Sequence, residues 1–338
     1  MIAHAGKRTL TLENRPYLLS HAAAVGKKEG EGPLGSRFDF VTRNDRMGQK
    51  SWELAESELQ RTAIDLALRK GSLRHCDLDL ILAGDLLNQC IGSFLASMHS
   101  DVPYLGQYGA CSTMAQGLAL GGVLVEAGAA ARLAVSASSH FCSAERQYRF
   151  PLAYGGQRTP TAQWTATAAG AAVLGAEGGS SVRMTHVLFG KMIELGVKDA
   201  NNMGAAMAPA ACDTLSCLLR ELGAQPTDFD CIVTGDLGRV GADLLLTLLR
   251  EDGIDLSPVY SDCGILLFGD TQDAHAGGSG CGCSAAVLCG PLLRDMHEGK
   301  IHRMIFAGTG AMMSPTSVQQ SQPIAGICHA VVLERSGA

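Results

Sequence analysis

The sequence predicts an α/β protein of two duplicated halves, in which stacked, mainly parallel sheets enclose buried helices. Three observations predict it. The stretch Asp77-Leu-Asp-Leu-Ile-Leu-Ala-Gly-Asp-Leu86 returns as Asp228-Phe-Asp-Cys-Ile-Val-Thr-Gly-Asp-Leu237, an offset of 151, with Asp, Asp, Ile, Gly, Asp and Leu in matching places. A second echo follows in the same order: Arg132-Leu-Ala-Val-Ser-Ala after a helix end at Glu126, and Arg303-Met-Ile-Phe-Ala after one at Glu298. Two phrases repeated in one order mark a duplicated unit. Short apolar runs also alternate with helical patterns, which gives parallel sheets covered on both faces.

Taken in order, Tyr17 to Val25 reads as the first strand, and Gly26 to Lys50 as a polar segment of a length that loops reserve for function or mobility. Ser51 caps a helix to about Lys70, with Leu54, Leu59, Ala63, Leu66 and Ala67 as its apolar stripe and Gly71 closing it. Asp77 to Leu86 is a short buried strand ending in a turn. Val102 to Leu105 is the next strand; it leads into the Gly-rich run Gly106 to Gly122, read as a sharp turn and then a buried helix, with Cys111 at the turn. Gln163 to Leu174 and Val182 to Phe189 are expected to finish the first half as strands. The helix Asp199 to Leu222 precedes the second copy of the repeated phrase, and Gly326 to Glu334 closes the second half. The boundary falls near Gly178-Gly179, giving halves 1–178 and 179–338.

Composition limits the function. At 338 residues the chain exceeds one small core. Aromatics make up only 5%, against 41 glycines, so strands and helices must approach closely. The net charge of −6 argues against a general nucleic-acid surface. There is no apolar run of about eighteen residues, and Met1 to Leu12 carries His4, Lys7 and Arg8, which argues against a transmembrane or secreted form. The twelve cysteines include no C-x-x-C pair, Cys281 and Cys283 being the closest two, so neither a zinc site nor a disulfide framework is indicated and a reducing compartment fits.

Cys111 is the first candidate for chemistry. A sulfur where a helix begins meets unpaired backbone N–H groups and the positive end of the macrodipole, which lower a thiol pKa and raise the thiolate fraction. The competing reading is a buried cysteine filling space between glycines and alanines.

The surrounding motifs resemble the thiolase and ketoacyl synthase superfamily. Gly109-Ala-Cys-Ser-Thr113 is similar to its nucleophile elbow, Gln163-Trp-Thr-Ala-Thr-Ala-Ala-Gly-Ala-Ala-Val-Leu174 to its glycine and alanine strand, His275-Ala-Gly-Gly-Ser-Gly280 to its second active-site loop, and Gly308-Thr-Gly310 to its closing glycine turn. The resemblance implies a thiolase-like fold, with the nucleophile-elbow cysteine in the N-terminal half and the histidine loop in the C-terminal half. A narrower likeness lies in Ser136 to Pro151, Tyr154-Gly-Gly-Gln157, Pro160-Thr-Ala-Gln-Trp-Thr165 and Ser314-Pro-Thr-Ser317, which resemble a sporulation family of endospore-forming bacteria within that superfamily. It implies a non-membrane component of the spore dipicolinic acid transport machinery that binds the acid itself, alone or as its calcium chelate, for uptake in sporulation and release in germination. It implies a soluble or peripheral protein at the forespore or spore inner membrane, with integral-membrane partners from the same operon. Superfamily members commonly pair, which implies a homodimer.

In the superfamily's enzymes the cysteine attacks an acyl thioester, and two further groups activate it and hold the oxyanion. Cys111 takes the nucleophile position and His275 one partner position. Where the condensing enzymes place the other partner this chain has Thr234-Gly-Asp236, and where thiolases use a late cysteine it has Phe306-Ala307. The incomplete set favours a pseudoenzyme, with an acyltransferase using Cys111 and His275 as the alternative. The two residues form a thiolate–imidazolium pair, a lone dyad or two walls of a pocket; the wall reading suits a degraded set, since losing a catalytic group harms rate more than binding.

A dipicolinate pocket needs cations or N–H donors for two carboxylates and a flat apolar slot for the ring. The helix start at Cys111 and Ser112 supplies N–H groups. Arg146, Arg149, Arg158 and Lys191 are the candidate cations, with Arg149 and Arg158 preferred, although such charges equally form a solvated face. Trp164 offers a ring to stack on or a core anchor. His140, just past a strand, sits where ligands gather in α/β folds or serves as a structural histidine.

Overall fold

In the computed structural model, which describes residues 2–148 and 157–336, the duplication becomes two five-stranded sheets with equivalent strand orders. The first half supplies β1 (Tyr17–Val25), β2 (Leu80–Gly84), β3 (Tyr104–Gly106), β4 (Arg132–Ser139) and β5 (Ala168–Gly175). The second supplies β6 (Val182–Leu188), β7 (Cys231–Thr234), β8 (Tyr260–Asp262), β9 (Arg303–Met312) and β10 (Ala325–Arg335). The orders are β1-β5-β4-β2-β3 and β6-β10-β9-β7-β8. In each half the last three strands pair in parallel, while β5 and β10 run antiparallel to both their neighbours. Only one strand per half is therefore reversed. Arg183 of β6 pairs with Tyr17 of β1, and that contact makes the two sheets continuous.

Period-two alternation sorts the strand residues between layers. Leu133 and Val135 of β4 and Met304 and Phe306 of β9 face the shared interior. Ala134 faces the outer layer of the first half, and Ile305 that of the second. Among the described residues the longer helices that cover and separate the sheets are α1 (Trp52–Lys70), α2 (Ile91–Ser97), α3 (Thr113–Glu126), α4 (Phe141–Tyr148), α5 (Met203–Leu222), α6 (Gly238–Glu251) and α7 (Cys281–Val287). Leu59, Ala63 and Ala67 put α1 on the outside of the first sheet, and Leu215 and Leu218 put α5 on the outside of the second. Helices α3 and α7 lie buried between the halves.

The small-residue composition is what lets these layers meet. A methyl group added to Gly170 of β5 would lie 2.3 Å from the Ala285 carbonyl of α7, and one on Gly308 of β9 would lie 2.5 Å from the Ala115 side chain of α3. Neither distance admits a carbon atom, so glycine here is a condition of the layer spacing.

Helix α1 starts and stops as expected: the Ser51 hydroxyl accepts from the Leu54 N–H at 3.3 Å, and Gly71 closes the last turn. The segment from Gly26 to Lys50 is more ordered than a loop, with a helical turn at Lys27–Gly30 and a strand Phe40–Val41 that pairs with the end of β1. The strand expected to finish the first half, Val182 to Phe189, instead opens the second sheet. It pairs with β10 from Val182 to Leu188 but meets β1 only at Arg183. An apolar strand at a repeat boundary suits either side, and long-range partners decide. Gly178-Gly179 falls in the link between β5 and β6. Among the described residues no helix is long and apolar enough to cross a membrane.

Candidate functional site

The site begins at the turn between β3 and α3. Ala110 has φ +50°, a left-handed conformation that costs a non-glycine residue roughly 1–2 kcal/mol. Local bonds hold it there: the Ser112 hydroxyl donates to the Gly109 carbonyl at 2.6 Å, the Thr113 hydroxyl to the Ala110 carbonyl at 2.7 Å, and the Gly109 N–H to the Thr113 hydroxyl at 3.1 Å. The strained turn presents Cys111 inward, 5% exposed, to the seam between the halves.

What waits across the seam is a carboxylate. Asp236 belongs to the second copy of the repeated phrase, two residues past the end of β7, and it is wholly buried. Its Oδ1 accepts from the Thr309 hydroxyl at 3.0 Å, and its Oδ2 from the Gly280 N–H at 2.8 Å and the Ser279 hydroxyl at 3.3 Å. The charge of the same carboxylate acts on the Cys111 thiol. Burial raises the pKa of Asp236 against these donors, which pull it down.

Cys111 itself does not become acidic. Burial first, then the Asp236 charge, push the thiol well above its usual value. The expectation of a helix-activated thiolate is thus overturned, because burial beside an anion outweighs the field of a helix start. Cys111 is held as S–H.

A cavity of about 50 Å³ lies above the sulfur, far below the roughly 300–1,000 Å³ of small-molecule sites, so a ring-sized ligand enters only if the walls part. Both halves build it: Leu86, Ala144 and Thr165 from the first, Met203, Ala311 and Met313 from the second. Two tyrosines cross it. Their hydroxyls, Tyr108 and Tyr148, lie 3.0 Å apart, and Tyr148 also donates to the Leu86 carbonyl. Glu145 on α4 also lines the wall and accepts from the Thr165 hydroxyl at 3.0 Å.

The family model of stage V sporulation protein AD matches residues 6–334. Stage V sporulation protein AD of Bacillus subtilis (strain 168) is 42% identical over 332 residues, covering 98% of each chain. The chain belongs to the stage V sporulation protein AD family. Among solved structures, 3-oxoacyl-[acyl-carrier-protein] synthase III from Aquifex aeolicus VF5 is similar at 14% identity and a TM-score of 0.58, covering 94% of this chain and 99% of that one. A Xanthomonas campestris OleA variant with cerulenin is similar at 14% identity and a TM-score of 0.60, covering 95% of this chain and 96% of that one. At such identity these likenesses show the fold, which is thiolase-like.

In this stage V sporulation protein AD family member the remaining candidates fall into two groups away from the sulfur. His275 has φ +52° and contacts the Thr159 carbonyl through Nδ1 at 2.9 Å and Asp273 Oδ1 through Nε2 at 3.0 Å. It is not among the described residues lining the cavity, whose partner for Cys111 is Asp236. The expected meeting of Cys111 and His275 is corrected accordingly: the loop resembles the active-site loop, but Asp273 and Thr159 hold its imidazole elsewhere.

Arg158 and Trp164 join His275 there. Arg158 reaches the Asp273 carboxylate at 3.3 Å and lies 4.6 Å from the Trp164 ring, which stacks on Phe141 at 4.0 Å with Lys28 Nζ 3.4 Å from the same ring. His140 is buried beside Trp52, with Nε2 2.9 Å from the Asp45 carbonyl and Nδ1 accepting from the Cys142 N–H, and burial lowers its pKa. Ser112 holds the turn. Arg146 pairs with Glu53 and Lys191 with Asp213, so neither serves the cavity. Arg149 lies outside the described residues. Sequence reasoning missed Tyr108, Tyr148, Glu145 and the role of Asp236. Only Asp236 carried a signal, as the repeat of Asp85.

Proposed function

We propose that this sporulation protein is a thiolase-fold binding protein for dipicolinic acid whose condensing chemistry is disabled. The observation that carries the reading is the buried Asp236 carboxylate, whose charge adds to burial in keeping the Cys111 thiol protonated. A condensing enzyme needs a thiolate and donors aimed at the developing oxyanion. Here a carboxylate holds the thiol as an acid and takes up the Gly280, Ser279 and Thr309 donors that the seam offers.

What is left is a narrow cavity that a ligand must widen to enter. Leu86, Ala144, Ala311 and Met313 give apolar walls for a flat ring, and the Tyr108 hydroxyl, turned from Tyr148, gives a donor for a carboxylate. Among the described lining residues none is basic, and Glu145 and Asp236 stand close by. That balance favours the ligand with its charge neutralised, as the calcium chelate, over the bare dianion.

In this reading the protein works peripherally at the forespore inner membrane, with integral-membrane partners of its operon, in uptake during sporulation and release during germination. A homodimer joined along the free edge of β3 fits the exposure of Leu105 (46%) and the nearby Met98 (58%). An acyltransferase using Cys111 and His275 is disfavoured, because His275 is engaged by Asp273 and Thr159.

Calorimetric titration tests the proposal. Dipicolinate with calcium is expected to bind saturably at one site per chain, more tightly than without calcium, while exposure to acyl-CoA leaves the intact mass unchanged. No heat at millimolar ligand, or an acyl adduct on Cys111, would overturn it.

A further inference from the structure

The repeat that supplies Asp236 supplies a second buried aspartate, Asp85, in the other half, and this one faces another carboxyl. Asp85 follows β2 and is fully buried, as is Glu56 of α1. A methyl group placed on Gly92 of α2 would lie 3.2 Å from Asp85 Oδ2 and 3.3 Å from Glu56 Cδ, so the two carboxyl groups meet over one glycine. Each has its own donors. Asp85 accepts from the Ser93 N–H and hydroxyl, both at 2.7 Å, and from the Leu87 N–H at 2.8 Å. Glu56 accepts from the Ser143 hydroxyl at 2.7 Å and the Ser138 hydroxyl at 3.2 Å.

The other titratable groups facing the pair are Cys90 from the segment before α2, Tyr104 of β3 and Cys281 of α7. None is a cation. Two like charges without a counter-ion in a dry interior cannot both persist, so one carboxyl keeps a proton. Burial and the Asp85 charge raise Glu56 to about 8.

The pair lies directly behind the cavity wall. Leu86, next to Asp85, lines the cavity, and its carbonyl accepts from Tyr148 and from Gln147 at the end of α4. Ser143, which donates to Glu56, precedes the lining residues Ala144 and Glu145 on the same helix. Helix α4 is thus pinned at one end to Glu56 and at the other to the residue beside Asp85.

We propose that Glu56 and Asp85 share one proton, and that loss of this proton to solvent sets the two carboxylates against each other, draws α4, held to Glu56 through Ser143, away from Leu86 beside Asp85, and so loosens the wall of the cavity, coupling the state of the binding site to pH. As regulation of a ligand site, the proposal rests on the binding function proposed above. Its structural part does not.

The sign follows from linkage. A carboxyl with a raised folded pKa binds more protons folded than unfolded, so the stability it lends is complete below the unfolded value and is lost as pH rises through about 8. Loosening therefore belongs to the alkaline side.

Hydrogen exchange of the Phe141–Tyr148 amides, corrected for intrinsic rate, reads the switch without any ligand. Protection is expected to fall at least tenfold from pH 7 to pH 9 in the wild type and to stay level in Glu56→Gln, which mimics the protonated acid. Ser138→Ala, which removes a donor to the ionised form from β4 and leaves the pin of α4 intact, moves the midpoint of the fall to higher pH and serves if the first variant does not fold. Flat protection in the wild type, an equal fall in Glu56→Gln, or an unmoved midpoint in Ser138→Ala overturns the proposal. Dipicolinate titration at the same pH values separates the claims: no binding at any pH removes the ligand reading, whatever the exchange result.

Discussion

Asp236→Asn is expected to awaken Cys111: its alkylation by iodoacetamide at pH 7.5 should rise on the order of a hundredfold over the wild type. Burial is the larger cause that holds the wild-type thiol up, and the Asp236 charge adds to it. Removing the charge leaves the burial, and a gain on the order of a hundredfold corresponds to about 2.7 kcal/mol. The substitution also turns an acceptor into an amide facing the Gly280 N–H, which costs about 1–3 kcal/mol of stability. Melting of the variant shows whether enough fold remains for the rate to be read. Peptide mass after digestion assigns the adduct to Cys111 among the twelve cysteines. An unchanged rate in a folded variant would mean that Asp236 does not hold the thiol.

Ala144→Trp should abolish dipicolinate binding, with a loss of affinity of a hundredfold or more, while His275→Ala should leave it within about twofold. Ala144 is 2% exposed and points its methyl group into the cavity wall. An indole added there fills the space between Leu86 and the two tyrosines, and overpacking of a well-formed wall is felt directly. His275 stands outside that space, tied to Asp273 and Thr159. The pair of variants thus distinguishes two places for the ligand. Loss of binding in His275→Ala with retention in Ala144→Trp would move the site to the Arg158–Trp164–His275 cluster.

Local signals in the chain proved the most readable. The cap at Ser51, the stop at Gly71 and the turn at Cys111 each depend on neighbours a few residues away, and each stands where its residues predict. The repeated Gly-Asp-Leu phrase likewise ends an equivalent strand in each half. The allegiance of Val182–Leu188 was hidden, because its pairing is decided by β10, far along the chain.

The chemistry of the site was hidden for the same reason. Asp236 is visible in the sequence as the repeat of Asp85. That its charge acts on the thiol depends on Thr309, Gly280 and Cys111 converging from three distant segments. His275 shows the converse. Its motif resembles a catalytic loop, yet a positive φ and the pull of Asp273 turn the side chain to other partners.

A crystal structure of the protein with dipicolinate and calcium tests the central claim most directly. The account predicts the pyridine ring over Cys111, between Tyr108, Tyr148 and Ala311, with the thiol unmodified and still facing Asp236. A ring stacked on Trp164 beside Arg158 and Lys28, or a covalently modified Cys111, would contradict it.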